Sequence, residues 1–191
     1  MHTEPLFPSL ETPRLRLRCL DLSDAAAMSA LMTPAVSRWV ASWPSPFSAA
    51  QARERITKAR AVAASANALP MAVLRKSDAV FLGYVGLRKS DESTADFGYW
   101  LGEPFQGHGY MREAAPAALW LAFERLGVTV IGAGAQLANT PSLAVLKGCG
   151  MRFVDERLVH APIRERDELC AWYEITAAEA AAQPGFRRDG A

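Results

Sequence analysis

Residues 96–114 read Asp-Phe-Gly-Tyr-Trp-Leu-Gly-Glu-Pro-Phe-Gln-Gly-His-Gly-Tyr-Met-Arg-Glu-Ala. The segment begins inside a strand-like run, 94–101, and passes through the glycine-rich turn Gln106-Gly107-His108-Gly109-Tyr110-Met111. It then enters a helical pattern from Arg112 to Leu126, where Leu119, Phe123 and Leu126 share one face and Gly127 ends the run. A strand feeding a helix through glycines creates an anion site, because the first N–H groups of a helix have no intrahelical acceptor. The macrodipole adds roughly half a positive charge there. Gly107 and Gly109 let successive amides approach a phosphate without an intervening Cβ. The turn is neither GxxxxGK[ST] nor GxGxxG, which weakens nucleoside triphosphates and dinucleotides as ligands. A GxG at such a junction, taken alone, is equally a tight turn.

Working outward, Arg14 to Leu20 alternates polar and apolar residues and predicts a first strand with one face in the core. Asp21 and Ser23 offer caps to an Ala-rich helix ending near Met32, with Pro34 expected to stop further helix. Arg38 to Phe47, with Trp39, Trp43, Pro44 and Pro46, predicts an ordered aromatic loop whose tryptophans either shape a pocket or cover the core. Ser48 caps a second helix reaching Ala66. Strand-like runs at 69–75, 79–88 and 94–101, joined by short polar links, predict antiparallel hairpins. Beyond the central helix come a buried strand at 128–135, a helix from Thr140 to Gly148, and strands near 151–159 and 167–176. Pro116 falls inside the central helix and removes the N–H that would reach the Arg112 carbonyl, so a mild kink is expected. The expectation is one domain over 1–176 and an Ala-rich tail over 177–191.

The chain has 191 residues, half of them hydrophobic, which suffices for a core without staples. Cys19, Cys149 and Cys170 are odd in number and widely spaced, and read as buried, reduced thiols with no metal site. The net charge of +1 with scattered Lys and Arg argues against nucleic acid as partner. The first twenty residues hold Glu4, Glu11 and three arginines with no apolar run, so neither a signal peptide nor a membrane anchor is expected, and the expected address is cytoplasmic.

The segment from Asp96 to Ala114 resembles the coenzyme-binding segment of GNAT-superfamily acetyltransferases, most of all the ribosomal-protein-alanine acetyltransferase type. The family carries Arg/Gln-x-x-Gly-x-Gly/Ala there, usually followed by Glu-Ala, and Gln106, Gly109, Glu113 and Ala114 match. Met111 replaces the final small residue, so its side chain has to point away from the phosphates. The likeness extends to Glu11-Thr12-Pro13-Arg14-Leu15, Gly83-Tyr84-Val85-Gly86, Asn139-Thr140-Pro141-Ser142 and Lys147-Gly148-Cys149-Gly150-Met151. It implies an α/β (α+β) fold with a central mixed, mostly antiparallel sheet of about seven strands flanked by about four helices. A splayed parallel pair, formed by the strand of Tyr99-Trp100-Leu101 and the strand at 128–135, would take the pantetheine arm.

The resemblance further implies transfer of an acetyl group from acetyl-CoA to a primary amine by direct attack. Coenzyme contacts fall on Trp100, Leu101, Gln106, Gly107, His108, Gly109, Tyr110, Met111, Arg112, Asn139 and Ser142. Amides near Leu101 and Gly102 would polarise the thioester carbonyl. The tyrosine that many members use as proton donor is Leu146 here, which leaves Ser142 as donor or relay. Asn139 would hold a pantetheine amide. Both residues also suit a helix cap. Asp96 or Glu103 would accept the ammonium proton. The acceptor is left open among a protein N-terminus, a polyamine, an amino acid or an antibiotic, bordered by the loops at 39–47 and 160–166. Homodimerisation also stays open. The departures at Met111, Leu146 and Gly148 motivate an alternative, a catalytically idle acyl-CoA-binding module.

Overall fold

The computed structural model describes residues 4–183. Its strands are β1 (Leu10–Glu11), β2 (Leu15–Cys19), β3 (Ala68–Arg75), β4 (Phe81–Lys89), β5 (Thr94–Leu101), β6 (Val130–Gln136), β7 (Arg152–Ala161) and β8 (Arg166–Thr176). They form one sheet in the order β1-β2-β3-β4-β5-β6-β8-β7. Every neighbouring pair is antiparallel except β5 with β6. The helices are α1 (Ala25–Leu31), α2 (Pro34–Ser37), α3 (Ala49–Ala64), α4 (Tyr110–Leu126), α5 (Thr140–Gly148) and α6 (Ala177–Ala181). The expected mixed α/β architecture is therefore present. The strand beyond the expected seven is the two-residue β1, and the helices beyond the expected four are the short α2 and α6.

Pro34 does not stop helix formation. It occupies the first turn of α2, where its missing N–H costs nothing, and the Thr33 hydroxyl caps the Val36 N–H at 3.4 Å. Asp21 and Asp24 make a reciprocal capping box ahead of α1, as Ser48 and Gln51 do for α3 and Thr176 and Glu179 for α6. The Ala-rich tail thus begins as a helix, and 184–191 lie outside the described residues. The helix α4 starts two residues earlier than its apolar pattern suggests and continues through Pro116 to Gly127, whose φ of 65° suits a glycine end cap.

Period-two alternation sorts the side chains onto two faces of the sheet. On one face Leu15, Leu17, Met71, Val85, Leu87 and Phe97 pack under Met111, Ala115, Ala118 and Leu119 of α4. Alanines along α4 let the helix lie close to the strands. On the other face Met28 of α1 and Ala52 and Ile56 of α3 join Trp43, Phe47, Phe81 and Trp100. Fully burying a Leu such as Leu15 or Leu17 contributes about 1.5–3 kcal/mol, so the Leu-Arg alternation fixes which face of β2 turns inward. Arg18, on the opposite face, makes a bidentate pair with Asp24 at 2.7 and 2.8 Å. All three cysteines are buried free thiols. No helix among the described residues is long and apolar enough to cross a membrane.

Candidate active site

The parallel ladder between β5 and β6 has only three rungs, Thr94 with Val130, Ala95 with Ile131 and Asp96 with Gly132. Past Asp96, β5 stays paired with β4 as far as Leu101 opposite Gly83, while β6 stays paired with β8 as far as Gln136 opposite Cys170. The sheet therefore splits, and each strand presents one unpaired edge to the gap. A cleft of about 1360 Å³ occupies the split, lined by Asp96, Gly98, Leu101, Gly109, Asn139 and Ser142 among others.

The glycine turn closes one end of the cleft. Gly107 and Gly109 both have φ of 76°, a left-handed conformation that an L side chain rarely adopts. A Cβ on Gly107 would meet nothing within 4 Å, so the space in front of the turn is open. The Glu113 N–H is taken by the Gly109 carbonyl at 3.1 Å, so the N–H groups of Tyr110, Met111 and Arg112 are the free first-turn donors of α4. Met111 is 5% exposed and packs into the core beneath the turn, which is why a long side chain fits here.

Two side chains brace this turn. Gln106 Nε2 donates to the Leu101 carbonyl at 2.9 Å and closes the connection from β5. Glu113 accepts from the Thr12 hydroxyl at 2.6 Å, the Arg14 N–H at 2.7 Å and Arg14 Nε at 2.6 Å. Arg14 also donates to the His108 carbonyl at 3.0 Å and lies over the Tyr110 ring. The Glu-Ala signature after the turn is thereby explained: its glutamate ties the start of β2 to the first turn of α4. Burial opposes ionisation of Glu113, but the bonds from Thr12 and Arg14 outweigh it and hold the carboxyl below its ordinary pKa. The His108 ring stacks on Tyr110, with Nδ1 2.7 Å from the Gln106 carbonyl, and lies outside the cleft lining.

At the start of α5, Asn139 Oδ1 accepts the Ser142 N–H at 3.3 Å, so Asn139 caps the helix and keeps its amide nitrogen for a ligand. The Ser142 hydroxyl lies 2.8 Å from the Tyr99 hydroxyl, which also reaches the Ser142 carbonyl at 3.1 Å. Tyr99 was not singled out from the sequence. Its odd position on β5 marks only a core-facing residue, and its partner is 43 positions away. Burial raises the Tyr99 pKa well above the usual phenol value, so its proton stays on oxygen. Leu146 is 1% exposed, a core residue that also backs the cleft, and burial pushes the Cys149 thiol up to about 12, which removes it as a nucleophile.

Asp96, Gly98 and Trp100 alternate along the opposite face of β5, toward α3. Asp96 opens onto the cleft where the strands part; the surrounding walls raise its pKa by desolvation, with the Arg88 charge acting against that. Trp100 packs on Trp43 at 5.3 Å and Phe81 at 6.1 Å, on the face away from the turn. Trp43 is thus both core and cleft wall. Glu103 accepts a hydrogen bond from the Thr33 hydroxyl and is absent from the cleft lining. The Gly102 N–H donates to the Leu82 carbonyl at 3.0 Å, so it is not free to polarise a thioester, contrary to expectation. No group of three or more potential metal ligands occurs among the described residues.

An eight-stranded sheet split at one parallel pair, with a glycine-rich helix start at the mouth of the split, defines a class of coenzyme-binding fold. The family model described as an acetyltransferase (GNAT) domain matches residues 14–152, and the chain belongs to that family, which uses acetyl-CoA. It is similar to the protein named uncharacterized N-acetyltransferase p20 of Bacillus licheniformis, 28% identical over 142 residues that cover 72% of this chain and 79% of that one. Among solved structures it is similar to Mycobacterium smegmatis RimJ in complex with CoA-disulfide, with a TM-score of 0.79 at 24% identity, covering 97% of this chain and 95% of that one. It is also similar to the ribosomal-protein-S5-alanine acetyltransferase of Vibrio fischeri, with a TM-score of 0.78 at 19% identity, covering 89% and 97%. At these identities the solved structures establish the fold.

Proposed function

We propose that this protein, through a catalytic domain spanning 1–176, transfers an acetyl group from acetyl-CoA to a primary amine, on a protein N-terminus or a small molecule. The observation that carries the reading is the path from the open amides of the Gly107–Gly109 turn, along the split between β5 and β6, to the Ser142 hydroxyl. The donor set fits the coenzyme: backbone N–H groups for phosphates, two unpaired strand edges for the amides of pantetheine, and an apolar floor beneath. The protein-terminus form of the acceptor is supported by the named activity of the Vibrio fischeri structure, a ribosomal-protein-alanine acetyltransferase.

Acetyl-CoA supplies an activated acyl group that the amine attacks directly, forming a C–N bond as the C–S bond breaks. Asp96 takes the proton of the ammonium substrate, directly or through one water, and its raised pKa brings it nearer to that task than an ordinary carboxylate. Glu103, held by Thr33 outside the cleft, takes no part. Ser142 gives a proton to the departing sulfur, with the Tyr99 hydroxyl orienting it. Asn139 Nδ2 donates to a pantetheine carbonyl. A cleft-facing N–H of β5 beyond the split polarises the thioester, while Gln106, Arg112 and the amides of the turn fix the phosphates. The test is CoA release from acetyl-CoA over a panel of amines and N-terminal peptides. Turnover on at least one class is the expected result; saturable coenzyme binding without turnover on any amine overturns the reading.

A further inference from the structure

Among the described residues, none of three donor side chains gathered on the α3 side of the cleft meets a carboxylate. Trp100 is 4% exposed, and its Nε1 is buried without a hydrogen-bond partner. The Tyr84 hydroxyl lies so close over Gly86 that a Cβ there would sit 2.1 Å from it; burial raises its pKa to about 12, so it stays protonated. Arg55, half-buried on α3, donates to the Ser42 carbonyl at 2.8 Å and hydroxyl at 2.9 Å and lies 3.9 Å over the Trp43 ring. Among the described residues no carboxylate pairs with it, and desolvation lowers its pKa. The three belong to one cluster, since Trp43 stacks at 5.1 Å on Tyr84 and 5.3 Å on Trp100. A buried donor left unmade keeps the full cost of its desolvation, and a half-buried cation without a counter-charge keeps more. On this wall the Glu54 carboxylate is taken by Lys58 at 2.6 Å, so the donors of Trp100, Tyr84 and Arg55 are complementary to an anionic oxygen brought by a ligand.

The floor beside this wall leads to Asp96. Gly86 and Gly98 are rung partners; the Tyr84 hydroxyl covers Gly86, while a Cβ on Gly98 would meet nothing within 4 Å, so the space over Gly98 is open. Gly98 lies two residues from Asp96, roughly 7 Å along the strand. An amine at Asp96 therefore shares one cleft with the Tyr84 hydroxyl and Arg55, across the open space over Gly98. We infer that the acceptor is an amine carrying a carboxylate a few bonds from its nitrogen, and that Arg55 and Tyr84, backed by the buried Trp100, form the subsite that binds this carboxylate. The inference rests on the acetyl-transfer reading and narrows its acceptor. The carboxylate has two sources, a free amino acid or an acidic side chain near a peptide N-terminus.

The experiment compares matched acceptors that differ only in that charge: alanine with alaninamide, and a tripeptide amide with glutamate or with glutamine at its second position. The acidic member of at least one pair is expected to have a kcat/KM higher by about tenfold or more, and the pair that responds identifies the source. Arg55→Gln should bring that ratio to near one while leaving coenzyme affinity unchanged, and Arg55→Lys should keep part of it. Ser42→Ala, which loosens the same loop without removing the charge, should keep the full ratio. Equal use of both members in both pairs, or a preference that survives Arg55→Gln, overturns the inference. If no amine turns over, tryptophan fluorescence with CoA bound separates the two ideas. Quenching by the acidic member alone, lost in Arg55→Gln, upholds the subsite while the transfer reading fails; no quenching by any acceptor overturns the subsite.

Discussion

Gly109 holds a left-handed φ of 76° at the first step of α4, and a Cβ there would lie 3.5 Å from the Arg14 guanidinium. Gly109→Val imposes a β-branched residue on that conformation, at a cost of about 1–3 kcal/mol, and crowds Arg14, which shifts the amides of the turn. Coenzyme affinity measured by calorimetry should fall by at least about tenfold. Ser142→Ala should lower kcat by about a hundredfold with little change in coenzyme affinity, and Tyr99→Phe should act in the same direction but less, because it removes only the group that orients the serine. Asp96 has the opposite linkage from most carboxylates. Its folded pKa is raised above the ordinary 3.8, so its contribution to stability is best below that value and is lost as pH rises through the raised pKa. Asp96→Asn should therefore leave thermal stability equal or higher at neutral pH while reducing turnover by about a hundredfold. The acid limb of the wild-type kcat/KM profile should lie above 3.8. Equal turnover in Asp96→Asn would remove Asp96 as the base.

At the scale of elements, β2 and α4 are joined through one carboxylate. Thr12, the Arg14 backbone and the Arg14 guanidinium all donate to Glu113, which also sits in the first turn of α4 where a negative charge is favoured. Because the folded pKa of Glu113 is depressed, this stabilisation is present above the ordinary 4.5 and is lost as pH falls through the lower folded value. Glu113→Gln should cost about 1–2 kcal/mol in urea unfolding at neutral pH, an amount discounted because Arg14 is half-exposed. It should also weaken coenzyme binding, since Arg14 supports the His108 carbonyl of the turn. Most elements were legible locally. The Leu-Arg alternation marks β2, Ser48 with Gln51 marks the start of α3, and Gly127 marks the end of α4. The role of Pro34 was not, because a proline that ends one helix and one that begins the next have the same local sequence signature.

At the scale of the molecule, the decisive feature is a sheet that stops pairing at Asp96 and Gly132 although both strands continue. Amide hydrogen exchange should show the three rungs Thr94–Asp96 and Val130–Gly132 well protected. The cleft-facing amides of residues 97–101 and 133–136 should exchange faster and become protected when CoA is added. Protection that is unchanged by CoA would place the coenzyme elsewhere. The sequence by itself determined the alternation that assigns side chains to two faces, the helix caps, and the glycines that open amides at the start of α4, since each depends on residues a few positions apart. Tertiary structure alone decided that Ser142 meets Tyr99, that Glu103 is taken by Thr33 while Asp96 opens onto the cleft, and that Arg55, Tyr84 and Trp100 gather on one wall. Those groups come from different elements, and only the order of strands and the burial of both faces bring them together.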